Sequence, residues 1–194
     1  MAKKSNRNTR GRIVSAAWKL FYEQGYEDTT VEEIIELSGT SKGSFYHYFD
    51  GKDALLSTLS SLFDEKYEEL TGLLTPEMTA MEQLLFLNRE LFHMIEDSIS
   101  LDLLARLYST QLTTNGEKHL LDHNRIYYKL LRKIIAKGQA EGQLSSRSNV
   151  NEMVKLYALC ERALLYDWCL CAGEYALTEY SAKVLPGFLS SFLP

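Results

Sequence analysis

An all-α protein is what this sequence predicts, and three observations predict it. Apolar residues recur at i, i+3, i+4, i+7 and i+8 from Ile13 onward, the stripe of an amphipathic helix. Helix ends are written in side chains. Thr30 stands three residues before Glu33 as a capping box, and Gly25 and Gly39 close apolar runs as C-terminal stops. No stretch after Pro76 alternates apolar and polar residues as a half-buried strand would.

Taken in order, the first helix is expected from about Thr9 to Gln24, with Ile13, Ala16, Ala17, Leu20 and Phe21 on one stripe. Thr30 opens a second, whose apolar side is Val31, Ile34, Ile35 and Leu37. Gly39 ends it, because glycine enters the left-handed conformation without a Cβ penalty. Thr40 or Ser41 then caps a third helix, Lys42 to Tyr48. Two short helices joined by a glycine turn make a helix-turn-helix, whose second helix reads a DNA major groove. That helix offers Lys42, Gly43, Ser44, Tyr46, His47 and Tyr48, with Phe45 and Phe49 as its apolar anchors. A purely structural hairpin would carry more apolar surface.

Gly51-Lys52 opens a long fourth helix carrying Leu55, Leu59, Leu62, Phe63, Tyr67, Leu70, Leu73 and Leu74, and Thr75-Pro76 stops it. Lys52 sits in its first turn, where an anion is favoured. Further helices are expected over 78–95, 98–108, 116–140, 148–171 and 178–193, nine in all, with Gly138 and Gly142 punctuating the third of these and a break at Pro186-Gly187 in the last.

Charge supports the division. The 194-residue chain has a formal net charge of −5, yet its first 56 residues carry eight basic and eight acidic side chains, leaving thirteen and eighteen of the 21 and 26 for the rest. Lys3, Lys4, Arg7, Arg10 and Arg12 precede every acid, an arm suited to phosphates. No run of about 18 apolar residues predicts a membrane span. No apolar stretch follows the basic start, so no secretory signal is expected. Three cysteines, Cys160, Cys169 and Cys171, are odd in number and point to a reduced, cytoplasmic setting.

The run RIVSAAWKLFYEQGYEDTTVEEIIELSGTSKGSFYHYFDGKDALL resembles the DNA-binding domain of the tetracycline-repressor-like (TetR/AcrR-type) family of bacterial regulators. Ile35 stands where that family usually has alanine, and Thr40 where it has a β-branched apolar residue. The resemblance implies an N-terminal three-helix helix-turn-helix domain (1–52) and a C-terminal helical ligand-binding and dimerisation domain (53–194). It implies that Thr30, Thr40, Lys42, Gly43, Ser44, Tyr46, His47 and Lys52 face DNA. Lys42 and Ser44 would read base edges; Tyr46, His47 and Lys52 would hold phosphates. Gly43 would let the helix sit deep.

For the second domain the resemblance implies a small-molecule effector and no cofactor. Tyr67, Phe86, Phe92, His93, Tyr108 and Tyr127 supply the apolar walls and polar tips of such a pocket. Residues 148–171 are apolar on more than one side and must be buried in a large core or against a partner. The resemblance implies a homodimer, through Leu164, Leu165, Trp168 and Phe188. The partners are thus a double-stranded operator, an effector and a second copy. His119 and His123 have the i, i+4 spacing of metal ligands, but no further ligand completes a site. No catalytic motif stands out, so no enzyme is expected. The competing readings are a DNA-binding regulator without small-molecule control and a metal-dependent helical enzyme built on that histidine face.

Overall fold

The structure, a computed structural model, describes the backbone at residues 2–113 and 118–194 and the side chains from Thr9 onward. The side chains of Lys3, Lys4 and Arg7, and the helix start expected at Gly116, lie outside the described residues. Within them the regular structure is helical throughout: α1 (Ala2–Gln24), α2 (Val31–Ser38), α3 (Lys42–Tyr48), α4 (Lys52–Leu56), α5 (Leu59–Thr71), α6 (Ala80–Ser98), α7 (Leu101–Thr113), α8 (Ile126–Ala140), α9 (Val150–Leu170) and α10 (Leu177–Leu189). Short 3₁₀ turns cover His119–Leu121 and Ser190–Phe192. The chain forms two compact units, residues 1–61 with 102–119, and 62–101 with 120–194.

In the first unit α1, α2 and α3 pack on one another. Ile13, Ala17 and Phe21 from α1 are buried, as are Ile34 from α2 and Phe45 and Phe49 from α3 and its end. The expected apolar side of α2 narrows to Ile34, with Val31 and Ile35 half-buried and Leu37 exposed.

The expected long fourth helix is two helices. Ser57 and Thr58 form a turn between α4 and α5. Ser57 Oγ donates to the Ala54 carbonyl, Thr58 Oγ1 to Leu55 and Ser60 Oγ to Ser57. Hydroxyls bonding three residues back compete with the helical ladder. Trp18 Nε1 donates to Thr58 Oγ1 at 2.8 Å and holds the interruption in place.

In the second unit α6 packs on α8 and α10, and α9 packs on both of those. Thr79 and Glu82 form a capping box at the start of α6. α10 has no side-chain cap of its own. Glu96 from α6 supplies one, accepting from the Leu177 and Thr178 amides. Arg125 and Asp64 make a two-pronged pair at 3.0 and 3.1 Å, joining the start of α8 to α5. α10 runs through Pro186 to Leu189 and ends in a 3₁₀ turn, so the break expected at Pro186-Gly187 falls about one turn later.

It is Gly142, at φ 71°, that follows the end of α8, whereas Gly138 lies inside its last turn, against Ala80 at the start of α6. A Cβ there would stand 2.5 Å from the Ala80 Cβ and 2.9 Å from Leu144 Cδ1. Gly138→Ala should destabilise the protein by about 1–3 kcal/mol, the usual cost of overpacking. At roughly 2–4 °C per kcal/mol for a chain of this size, a thermal melt reads it directly.

Candidate nucleic-acid interface

The turn before α3 is fixed by local chemistry. Thr30 Oγ1 accepts from the Glu33 amide and the Glu33 carboxylate accepts from the Thr30 amide, completing the capping box. Gly39 takes φ 59°, with Gly39 N–H on the Glu36 carbonyl and Thr40 N–H on Ile35, the bond pair of a Schellman stop. Arg12 from α1 donates to the Ser38 and Gly39 carbonyls that the stop leaves over. Of the two candidate caps for α3 it is Ser41 that serves, accepting from Ser44 N–H at 3.1 Å. The Thr40 hydroxyl bonds Ser38 instead.

The result is a seven-residue helix pinned by buried Phe45 and by Phe49, with a polar outer face. Lys42, Gly43, Tyr46 and His47 are exposed, and Ser44 is half-buried beside them. A Cβ on Gly43 would meet only Ser41 Oγ, at 3.9 Å. Lys42 makes an exposed ion pair with Glu32 at 3.4 Å, a contact weak enough to exchange for DNA. Thr30 is exposed but its hydroxyl is committed to the cap.

Lys52 is not a freely solvated lysine. Its ammonium donates to the Tyr26 carbonyl at 2.6 Å and to Glu27 at 3.2 Å, and lies 4.3 Å from the Tyr26 ring centre. One of its three donors is left over from those two carbonyls. α4 has only five residues, so it is this aimed ammonium, rather than a helix terminus, that can meet an anion.

Of the expected effector residues in the second unit, Tyr67, Phe92 and Tyr127 are buried, whereas Phe86 and His93 reach the surface. Tyr67 and Tyr127 pack with tilted rings, centres 5.0 Å apart. Phe86 lines a separate groove of about 570 Å³ between α6 and α10. His93 is exposed and paired with Asp97 at 3.4 Å. Tyr108 lies on α7 in the first unit. The 3₁₀ turn and the Asp122–Arg125 turn separate His119 from His123, so the two share no helical face. Among the described residues no group of three metal-ligating side chains occurs.

Sequence reasoning passed over the most unusual group in the second unit. Glu161 is buried on α9, accepting from Tyr127 OH at 2.6 Å and Asn88 Nδ2 at 2.9 Å. Ser181 of α10 donates to Asn88 in turn. Burial pushes the carboxyl above its usual range, against the opposing pull of Tyr127, Asn88, Tyr157 and neighbouring Arg162. An acid between Tyr157 and Leu164, in the middle of the apolar run of α9, was the available signal. A carboxyl whose folded value is raised contributes stability below its unfolded value, and loses it as pH rises through the folded one. Glu161→Gln should therefore melt above the parent in mildly alkaline buffer. That advantage should shrink steadily in melts taken toward pH ~4.3, the ordinary glutamate value.

Leu164, Leu165 and Trp168 face inward and are buried in the chain's own core, and Phe188 is half-buried. The first three are therefore not the surface left for a second copy. α9 exposes another stripe, Leu159 (52 % exposed), Ala163, Tyr166 (45 %) and Leu170 (66 %), with Tyr180 on α10 exposed as well. No helix among the described residues is long and apolar enough to cross a membrane.

Comparison with known proteins bears on the same residues. The family model described as "Bacterial regulatory proteins, tetR family" matches residues 13–59. An HTH-type transcriptional regulator of Lactococcus lactis is 39 % identical over 56 residues, 28 % of this chain and 29 % of that protein, so the chain spans under a third of that relative. The fatty acid metabolism regulator protein of Bacillus subtilis is 23 % identical over 178 residues, 90 % of both chains. Among solved structures, Thermus thermophilus FadR, a TetR-family transcriptional repressor in complex with lauroyl-CoA, is similar with a TM-score of 0.75 and 26 % identity over 95 % of each chain.

Proposed function

We propose that this chain, whose residues 13–59 match the tetR family of bacterial regulatory proteins, is a cytoplasmic repressor, not an enzyme, that binds an inverted-repeat operator as a homodimer and leaves it on binding a small molecule. The observation that carries this reading is α3, which presents a polar face on two aromatic anchors and contributes only those anchors to the core. Residues 1–52 meet DNA. Lys42 and Ser44 reach base edges, Tyr46, His47 and Lys52 take phosphates, Gly43 permits close approach, and Thr30 and Thr40 lie along the backbone. Residues 53–194 hold the effector and the second copy.

The exposed α9 stripe from Leu159 to Leu170 is the surface for that copy. The resulting two-fold axis sets two α3 helices about 34–36 Å apart, one DNA turn. Tyr127, which donates to the buried Glu161 carboxyl, its neighbour Tyr67 and the buried Phe92 are the residues an effector meets. The T. thermophilus neighbour holds lauroyl-CoA, which makes an acyl-CoA the effector to try first. An effector that prefers the DNA-free state by about 3 kcal/mol shifts the equilibrium over a hundredfold.

The experiment is operator binding with added lauroyl-CoA, lauric acid or free CoA. The proposal expects the thioester alone to release DNA. Stabilisation of the protein by lauroyl-CoA with unchanged operator affinity would remove the coupling, and indifference to all three would favour a regulator without small-molecule control.

A further inference from the structure

In the first unit, charged side chains from two helices converge on one turn. Gly25, at φ 86°, leads into Tyr26 and Glu27, a turn with no regular ladder of its own. Lys52 holds this turn from α4 through the carbonyls of both residues, and the Tyr26 hydroxyl donates to Asp53 next to it. Arg106 of α7 holds it from a second helix. Its guanidinium lies 5.0 Å from the Tyr26 ring centre, pairs with the Glu27 carboxylate through Nη2 and donates from Nε to Asp102 at 2.9 Å.

We propose that Arg106 is a positioning residue for DNA binding, bracing the Tyr26–Glu27 turn so that Lys52 stays aimed at a phosphate. The proposal rests on the assignment of Lys52 to a phosphate. Two physical reasons support it. The carbonyls that orient the Lys52 ammonium belong to the turn, so their placement is its placement. Glu27 is also largely exposed, and without Arg106 its carboxylate loses the partner that fixes it on the turn Lys52 holds. A planar fork can hold the ring, Glu27 and Asp102 together, which a point charge does less well.

The test is a double-mutant cycle on the full-length protein, read as operator affinity against salt. Lys52→Ala should lower the salt slope by about one unit. Arg106→Ala should weaken binding about tenfold near 0.1 M salt and lower the slope by the same ~1 unit. It should add nothing in the Lys52→Ala background, because the two act as one contact. Arg106→Lys, which keeps the charge but not the fork, should recover the slope only in part. A purely structural arginine would lower the melting temperature and leave the slope unchanged, which would overturn the proposal. So would additive losses in the double variant, which would make Arg106 an independent DNA contact. If Lys52→Ala itself leaves the slope unchanged, the phosphate assignment falls and takes the proposal with it.

Discussion

Gly43→Leu should bind operator on the order of a hundredfold more weakly while melting no lower than the parent. The two halves of that result have separate causes. Within the protein the new side chain has room, since a Cβ at this position meets nothing closer than Ser41 Oγ at 3.9 Å. Leucine also has the better helix propensity by roughly 0.8–1 kcal/mol, so stability should hold or rise. Against DNA the same side chain projects from the exposed face between Lys42 and Ser44 and lifts the helix off the groove floor. Losing two base contacts at about 1–3 kcal/mol each accounts for the affinity. Thermal melts and operator titration on one preparation check both halves. A variant that binds as tightly as the parent would mean that this face of α3 does not enter the groove.

Glutamate at both Tyr166 and Leu170 should yield a folded monomer. The two side chains are exposed in the single chain, so the charges cost little until a second copy covers them. Burying an unpaired carboxylate then costs several kcal/mol, enough to separate a dimer. Operator affinity should fall by about 10²–10⁴, because the second half-site no longer benefits from tethering. Leu165→Glu is the contrasting control. That side chain is buried within the protomer, and its replacement should unfold the second unit. Light scattering with circular dichroism distinguishes the outcomes, and a stable dimer of the double variant would move the interface away from α9.

The reader was legible in the sequence because its determinants are local. Thr30 and Glu33 cap α2, Gly39 stops it and Ser41 starts α3, all within twelve residues. The split between α4 and α5 was not, since the leucine spacing continues across it and the deciding partner, Trp18, is forty residues away. For α9 the apolar run was evident, but which side turns inward depends on where α8 and α10 pack. Hence Leu164, Leu165 and Trp168 read as interface when they are core, while Leu159, Tyr166 and Leu170 remain outside. The His119–His123 helix failed for a reason that was readable: Asn124 N–H bonds Asp122 Oδ1 at 2.8 Å, an Asx turn that competes with the helix. Lys52 and Arg106 needed the tertiary structure, because their common partner lies in a turn far from both in the chain.

The central claim is that α3 reads base sequence, and selection from a random duplex pool tests it most directly. The parent protein and Lys42→Ala should each be carried through the same rounds, and the enriched sites compared. The account predicts an inverted repeat for the parent, with half-sites 10–10.5 base pairs apart or a multiple of that. Lys42→Ala should keep every position but one per half-site, with the lost preference worth about 1–3 kcal/mol. No enriched motif for the parent, or an identical motif for both proteins, would contradict it.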